Sequence, residues 1–305
     1  MIDFYQHRES GTRARLGLDG AASILLLERQ EEPRMDRVEG MAQGMAAAKP
    51  LESFKVPSLR GKVSEEEWAL RVDLAAAYRM VADYGWDDLI FTHLSVRIPG
   101  AEHHFLLNPY NLMFEEVTAS SLIKVDVDGN PVEPTPFITN PAGFTIHSAI
   151  HMAREDAHAV MHLHTPCGQA VSAQADGLLP LTQAAMLVLG DVAYHDYEGL
   201  AVDLDERARI VEDLGNKNMM LLRNHGTLAV GETIGEAFLR LYTLERACQA
   251  QVMALSGGSE VNNPPQGAPE LAAQQGALAL PVAAKLLAWP ALRRKADRLD
   301  PSFAT

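Results

Sequence analysis

The run Ala159-Val160-Met161-His162-Leu163-His164, answered downstream by Arg223-Asn224-His225-Gly226, decides how this chain folds and what it can hold. Strand side chains alternate between faces, so the apolar lead-in predicts a buried strand on which His162 and His164 share one side. Residues 217–222 read as a second strand that delivers His225 to a turn at Gly226. Three neutral imidazoles gathered by two strands suit one divalent ion: zinc, manganese or iron. Three protein ligands leave positions open for water or substrate, which is the arrangement of catalytic metal sites.

Working outward, Ser64 precedes three acids, Glu65, Glu66 and Glu67, and predicts a capped helix running to about Asp83. Strands are expected at 89–96, 105–107 and 122–127, the last closed by the Asp128-Gly129-Asn130 turn. Pro134, Pro136 and Pro141 argue against regular structure before Thr145. From there Ile146, Ala149, Ile150 and Ala153 line one face of a helix. A strand is expected at 188–197, and Thr233 with Glu236 forms a capping box that opens a helix to about Leu255. Residues 1–60 read as a poorly ordered extension, 61–255 as the folded domain, and 256–305 as a linker with a last helix near 281–292 and a tail. The irregular alternation of strands and helices predicts an α/β fold whose sheet is mixed or mainly antiparallel.

Composition narrows the partners. The 305 residues are 47 % apolar, enough to bury a large core, and the formal charge of 26 minus 40 gives −14. That charge disfavours nucleic acid and anionic membrane surfaces, and no window approaches the roughly 20 continuous apolar residues of a membrane span. Cys167 and Cys248 stand far apart in apolar settings, which fits a cytoplasmic protein without a disulfide framework. No glycine fingerprint for a nucleotide is present.

The segments Asn140-Pro-Ala-Gly-Phe-Thr-Ile-His147, Ala159 to His164 and Leu222-Arg-Asn-His-Gly226 together resemble the class II aldolase and adducin family over roughly residues 65–255. Within it, Tyr84-Gly85-Trp86, Thr118-Ala-Ser-Ser-Leu122, Leu189-Gly-Asp-Val-Ala-Tyr194 and Gly231-Glu-Thr233 are closest to the adducin branch. The resemblance implies a three-layer α/β/α sandwich, a homotetramer with the metal near a subunit boundary, and His162, His164 and His225 as metal ligands. It also implies departures from the sugar-phosphate aldolases. The glutamate they carry nineteen residues before the first metal histidine falls on Gly143 here, and their phosphate-holding serines fall on Pro141 and Ala142, with Asn111 as the turn partner. Their pocket asparagine falls on His93, and their tyrosine acid near Gln183 or Ala184.

Without a general acid or base at 143 and without hydroxyls for a phosphate dianion, a sugar phosphate is not the expected substrate. Gly143 and Phe144 leave a more apolar pocket, suited to a small-molecule aromatic or oxo acid. Around it we expect His93 as replacement acid or base and Asn108, Asn111, Thr165 and Gln183 as polar lining, with Tyr194 as a second catalytic candidate. His147 and His151, four residues apart, read as structural. The expected function is a metal-dependent carbon–carbon lyase, a decarboxylase or modified aldolase. The alternatives are an iron(II) oxygenase on the same triad and a non-catalytic adducin-like module of the cytoskeletal kind.

Overall fold

A computed structural model describes residues 54–100, 102–200 and 204–305, together with Leu51 and scattered positions between 35 and 46. The chain divides into Met1–Ala48 and Lys49–Thr305. In the first unit the described positions, such as Val38 and Met45, are helical, and the rest of the expected extension through residue 34 lies outside the described residues. The second unit begins inside that expected extension, and its start is tied down rather than loose. Phe54 meets Phe137 edge-on at 5.6 Å, and the Leu59 amide donates to Ser120 Oγ at 3.1 Å.

Among the described residues, seven strands form one sheet: β1 (His93–Arg97), β2 (Phe105–Leu107), β3 (Ile123–Val125), β4 (Ala159–Leu163), β5 (Val192–His195), β6 (Met219–Leu222) and β7 (Gly226–Gly231). Their order is β3-β2-β1-β4-β7-β6-β5, and every pairing is antiparallel except β5 with β6. The sheet is therefore mixed. Alternation along the strands sends Leu94, Val96, Met161, Leu163, Met219 and Leu221 into one core and Val160, Met220, Leu222 and Leu228 into the other.

The first core is closed by α1 (Glu65–Asp83), α3 (Pro166–Ser172), α4 (Gln183–Leu189) and α6 (Ile234–Ser256). The second is closed by Ile146 and Ile150 of α2 (Pro141–Ala153) and Ile210 and Leu214 of α5 (Glu206–Leu214). Helices on both faces make the expected α/β/α sandwich. Ser64 caps α1 through the Glu67 amide and Thr233 caps α6 through that of Glu236, as their sequences predict.

Four boundaries differ from expectation, the first being that strand β1 begins at His93 rather than at residue 89, because Leu89 and Thr92 lie at φ 55° and 67°, outside the extended region. Helix α2 starts at Pro141 rather than Thr145, because a first-position proline lacks only an amide that would be unpaired anyway. Residues 183–189 are helical and the strand begins only at Val192, since Thr182 caps α4 through the Ala185 amide. The expected linker through 276 is helical from Ala268: α7 (Ala268–Ala283) continues through a π-turn at Ala284–Ala288 into α8 (Trp289–Leu299). Gly276 explains why a glycine sits inside α7. An added Cβ there would lie 2.9 Å from the Leu187 carbonyl carbon, so only glycine lets α7 pack against α4. The stretch Ala268–Leu299 is long and apolar enough, by length and composition, to cross a membrane, which no continuous apolar run in the sequence suggested. Its Trp289 packs on Gly235 and donates to Asp73. The tail docks on its own chain, with Phe303 buried and its carbonyl accepting from the Ala119 amide at 2.8 Å.

Candidate metal centre

Strand β4 places His162 on the α2 side of the sheet, and His164 follows at the strand end. His225 stands in the turn between β6 and β7, where Asn224 adopts φ 56° and the His225 amide returns to the Leu222 carbonyl at 3.1 Å. Gly226 makes that turn possible. A Cβ at 226 would fall 2.5 Å from the Leu163 carbonyl and 3.3 Å from His162 Cε1, so any side chain would push β7 off the histidine strand.

The three rings converge, with one ligand atom from each lying within 4.8 Å of the others. His162 Nδ1 donates to the Thr227 carbonyl at 3.0 Å, and His164 Nδ1 faces the Asp88 carboxylate at 3.0 Å. Both contacts hold the proton on Nδ1 and leave a lone pair on Nε2. Those two Nε2 atoms stand 3.1 Å apart. Two lone pairs at that distance repel, whereas a cation between them turns the same geometry into coordination; nitrogens bound tetrahedrally at about 2.0–2.1 Å lie roughly 3.3 Å apart. Burial, then the neighbouring imidazoles, holds His162 well below the usual histidine range, and the same causes bring His225 down to about 4. Neutral imidazole is the metal-binding form, so the donor set fits a divalent ion.

Asp88 had no sequence signal. It enters from a loop with two non-glycine residues in the left-handed region, Leu89 at φ 55° and Thr92 at φ 67°. A β-branched residue at positive φ costs free energy of the order of 1–3 kcal/mol, and such strain gathers at functional sites.

His93 pairs with His162 across β1 and β4, and the ring centroids are 5.4 Å apart. Its imidazole lies against Gly143, where an added Cβ would stand 2.6 Å from His93 Nε2. Imidazole at 93 thus fills the space that a side chain at 143 would need. Burial, followed by the charges of His164 and His225, takes His93 down to about 3. The side chain of Phe144 lies outside the described residues.

Other expected lining groups are committed elsewhere. Tyr194 lies on the opposite face, in the first core; its hydroxyl accepts from the Leu178 amide at 3.1 Å and Arg223 covers its ring, so it does not reach the triad. Asn108 takes the Tyr78 hydroxyl at 2.9 Å. Asn111 accepts from the Ile138 amide at 3.4 Å. Thr165 caps α3 and donates to the buried Glu245 carboxylate, and Gln183 is exposed at the start of α4. The bonds that hold Asn108, Asn111, Thr165 and Tyr194 reach residues 16 to 80 positions away along the chain, which no local pattern reveals.

Residues 72–252 match the family profile described as the Class II Aldolase and Adducin N-terminal domain. The chain belongs to this family. An aldolase class 2 protein of Caulobacter vibrioides is 59 % identical over 81 % of the chain and 96 % of its own length. Mouse alpha-adducin is 44 % identical over 72 % of the chain, a match that spans 31 % of that longer protein. The crystal structure of an aldolase II superfamily protein from Pseudomonas syringae superposes with a TM-score of 0.76 at 47 % identity, covering 82 % of this chain and all of that one. Within the class II aldolase and adducin family, the triad therefore sits on a metal-dependent lyase scaffold that adducins share.

Proposed function

We propose that the protein is a metal-dependent carbon–carbon lyase acting on a non-phosphorylated oxo, hydroxy or aromatic acid, by decarboxylation or a modified aldol cleavage. The observation that carries this reading is the convergence of His162, His164 and His225 beside a position, Gly143, that offers no carboxylate. The three imidazoles would hold zinc, manganese or iron, and a divalent ion so held supplies Lewis-acid polarisation of a chelating substrate and stabilises charge that develops on bond cleavage. Asp88 and the Thr227 carbonyl keep the first two rings in the ligating tautomer. Loss of carbon dioxide needs no base to begin, which suits a site where imidazole replaces the acid. Pro141 and Ala142 give no hydroxyl to a phosphate.

Elemental analysis of purified protein should find a divalent metal that His162→Ala, His164→Ala and His225→Ala each remove. Carbon dioxide release from oxo or aromatic acids should depend on it. Turnover that persists without oxygen separates the lyase from the iron(II) oxygenase reading; turnover that stops transfers the site to the latter. The similarity to alpha-adducin favours a second reading, a non-catalytic assembly module. Salt-sensitive cosedimentation with actin filaments would support it. We also place the protein in the cytoplasm as a homo-oligomer, and size-exclusion chromatography should return a tetramer. The exposed Leu271, Leu278, Val282 and Leu286 supply an apolar stripe for a second copy.

A further inference from the structure

Three buried side-chain nitrogens without a hydrogen-bond partner fall in one cluster beside the triad, both ring nitrogens of His93 and His147 Nε2, and Thr92 Oγ1, next to His93 in the chain, is likewise without one. Buried polar groups are almost always satisfied, so a local concentration of orphans asks for an occupant. The state of His147 follows from the chain of bonds behind it. His151 Nδ1 lies 2.7 Å from the Ala157 carbonyl, which can only accept, so the proton is on Nδ1. His151 is buried and stays neutral, held down to about 3 by burial, so its Nε2 carries a lone pair. Ser95 Oγ is 2.7 Å from that Nε2 and spends its single proton there. Ser95 Oγ is also 2.5 Å from His147 Nδ1 and can only accept, so His147 is protonated on Nδ1. Its burial also keeps His147 neutral, and its orphaned Nε2 is therefore a fixed acceptor.

The His147 ring lies 4.3 Å from that of His93 at an interplanar angle of 33°, too nearly parallel for either to bond the other in plane. His93 faces the backbone at Gly143 and Thr92. The His93 ring thus stands between His147 and His162 on one face of the sheet, and the charge of Arg97 acts on His151 behind them.

We propose that Ser95 and His151 are positioning residues that lock His147 as a hydrogen-bond acceptor, and that the His93–His147 pair is a subsite for a hydroxyl group on the substrate. A carboxylate, a phosphate-ester dianion or a ketone has no proton to give to this nitrogen; an alcohol has one. The inference rests on the chelating-acid reading above and narrows it to hydroxy acids bearing a further hydroxyl beyond the chelating oxygens.

Calorimetric titration of the zinc-loaded protein with three acids tests it: lactate, glycerate, and 3-methoxylactate, which accepts but cannot donate at the added oxygen. Glycerate should bind roughly 5- to 100-fold more tightly than lactate, with 3-methoxylactate no better than lactate, the range expected when a buried acceptor gains its donor. Ser95→Ala should bring the glycerate preference below about twofold while the metal content stays unchanged, and Ser95→Thr, which keeps the hydroxyl, should restore it. Long-range proton–nitrogen NMR should show His147 protonated at Nδ1 alone. Equal affinities for glycerate and lactate, as a permanently buried water on Nε2 would give, overturn the proposal; so does a proton on His147 Nε2. If zinc binds and neither acid does, the chelating-acid reading fails, and the NMR pattern alone then supports or overturns the acceptor assignment.

Discussion

At the scale of single residues, the proposed metal site rests on the partners behind its rings as well as on the rings. Asp88→Asn keeps the shape but loses the charge that holds the His164 proton on Nδ1. Metal affinity should fall about 10- to 100-fold, read by competition with a chromophoric chelator. Gly143→Ala should cost about 1–3 kcal/mol by driving a methyl into the His93 ring, and His93→Ala in the same chain should relieve most of it, so that a denaturation double-mutant cycle shows coupling. The triad was legible because a period of two along a strand and a glycine turn are local patterns. Asp88 was not, since it reaches His164 from a loop 76 positions away, and Ser95 gained its meaning only when β1 lay beside α2.

At the scale of elements, the sheet was read in parts. Strands 105–107 and 159–163 follow from short apolar runs and the caps of α1 and α6 from side-chain capping, all short-range effects. Strand β7 was hidden: its all-buried run Gly226–Gly231 is bounded by glycines, which read as turns, yet both are there because backbone passes too close for a Cβ. Helix α7 was misjudged for the same reason. The residue Gly276 that weakens a helix in isolation is the one that lets α7 touch α4. Gly276→Ala should therefore lower the melting temperature despite its better helix propensity, and limited proteolysis should cut faster between α6 and α7.

At the scale of the whole molecule, the two-core sandwich could be foreseen from the mixture of elements, while strand order could not, because nothing in the sequence says which strands meet. Its stability should depend on pH through histidines locked neutral in the second layer. His151 is held at about 3 and His147 well below its usual value, whereas both protonate near 6.5 when unfolded. The folded state thus binds fewer protons, and stability present above pH 6.5 is lost as pH falls toward 3, by about 1.4 kcal/mol per unit for each ring. Urea midpoints measured from pH 7 to 4.5 should decline accordingly, with the slope flattened by one such increment in His151→Gln. The triad has a further consequence. Two of its rings lie at one end of β4 and the third 225 − 162 = 63 residues later, across the central β4–β7 pairing. An unfolded chain therefore offers a cation only a weak bidentate grip, so loading follows completion of the sheet. A divalent ion held by the proposed site would thus bind the folded chain far more tightly than the unfolded one, and adding it should raise the melting temperature.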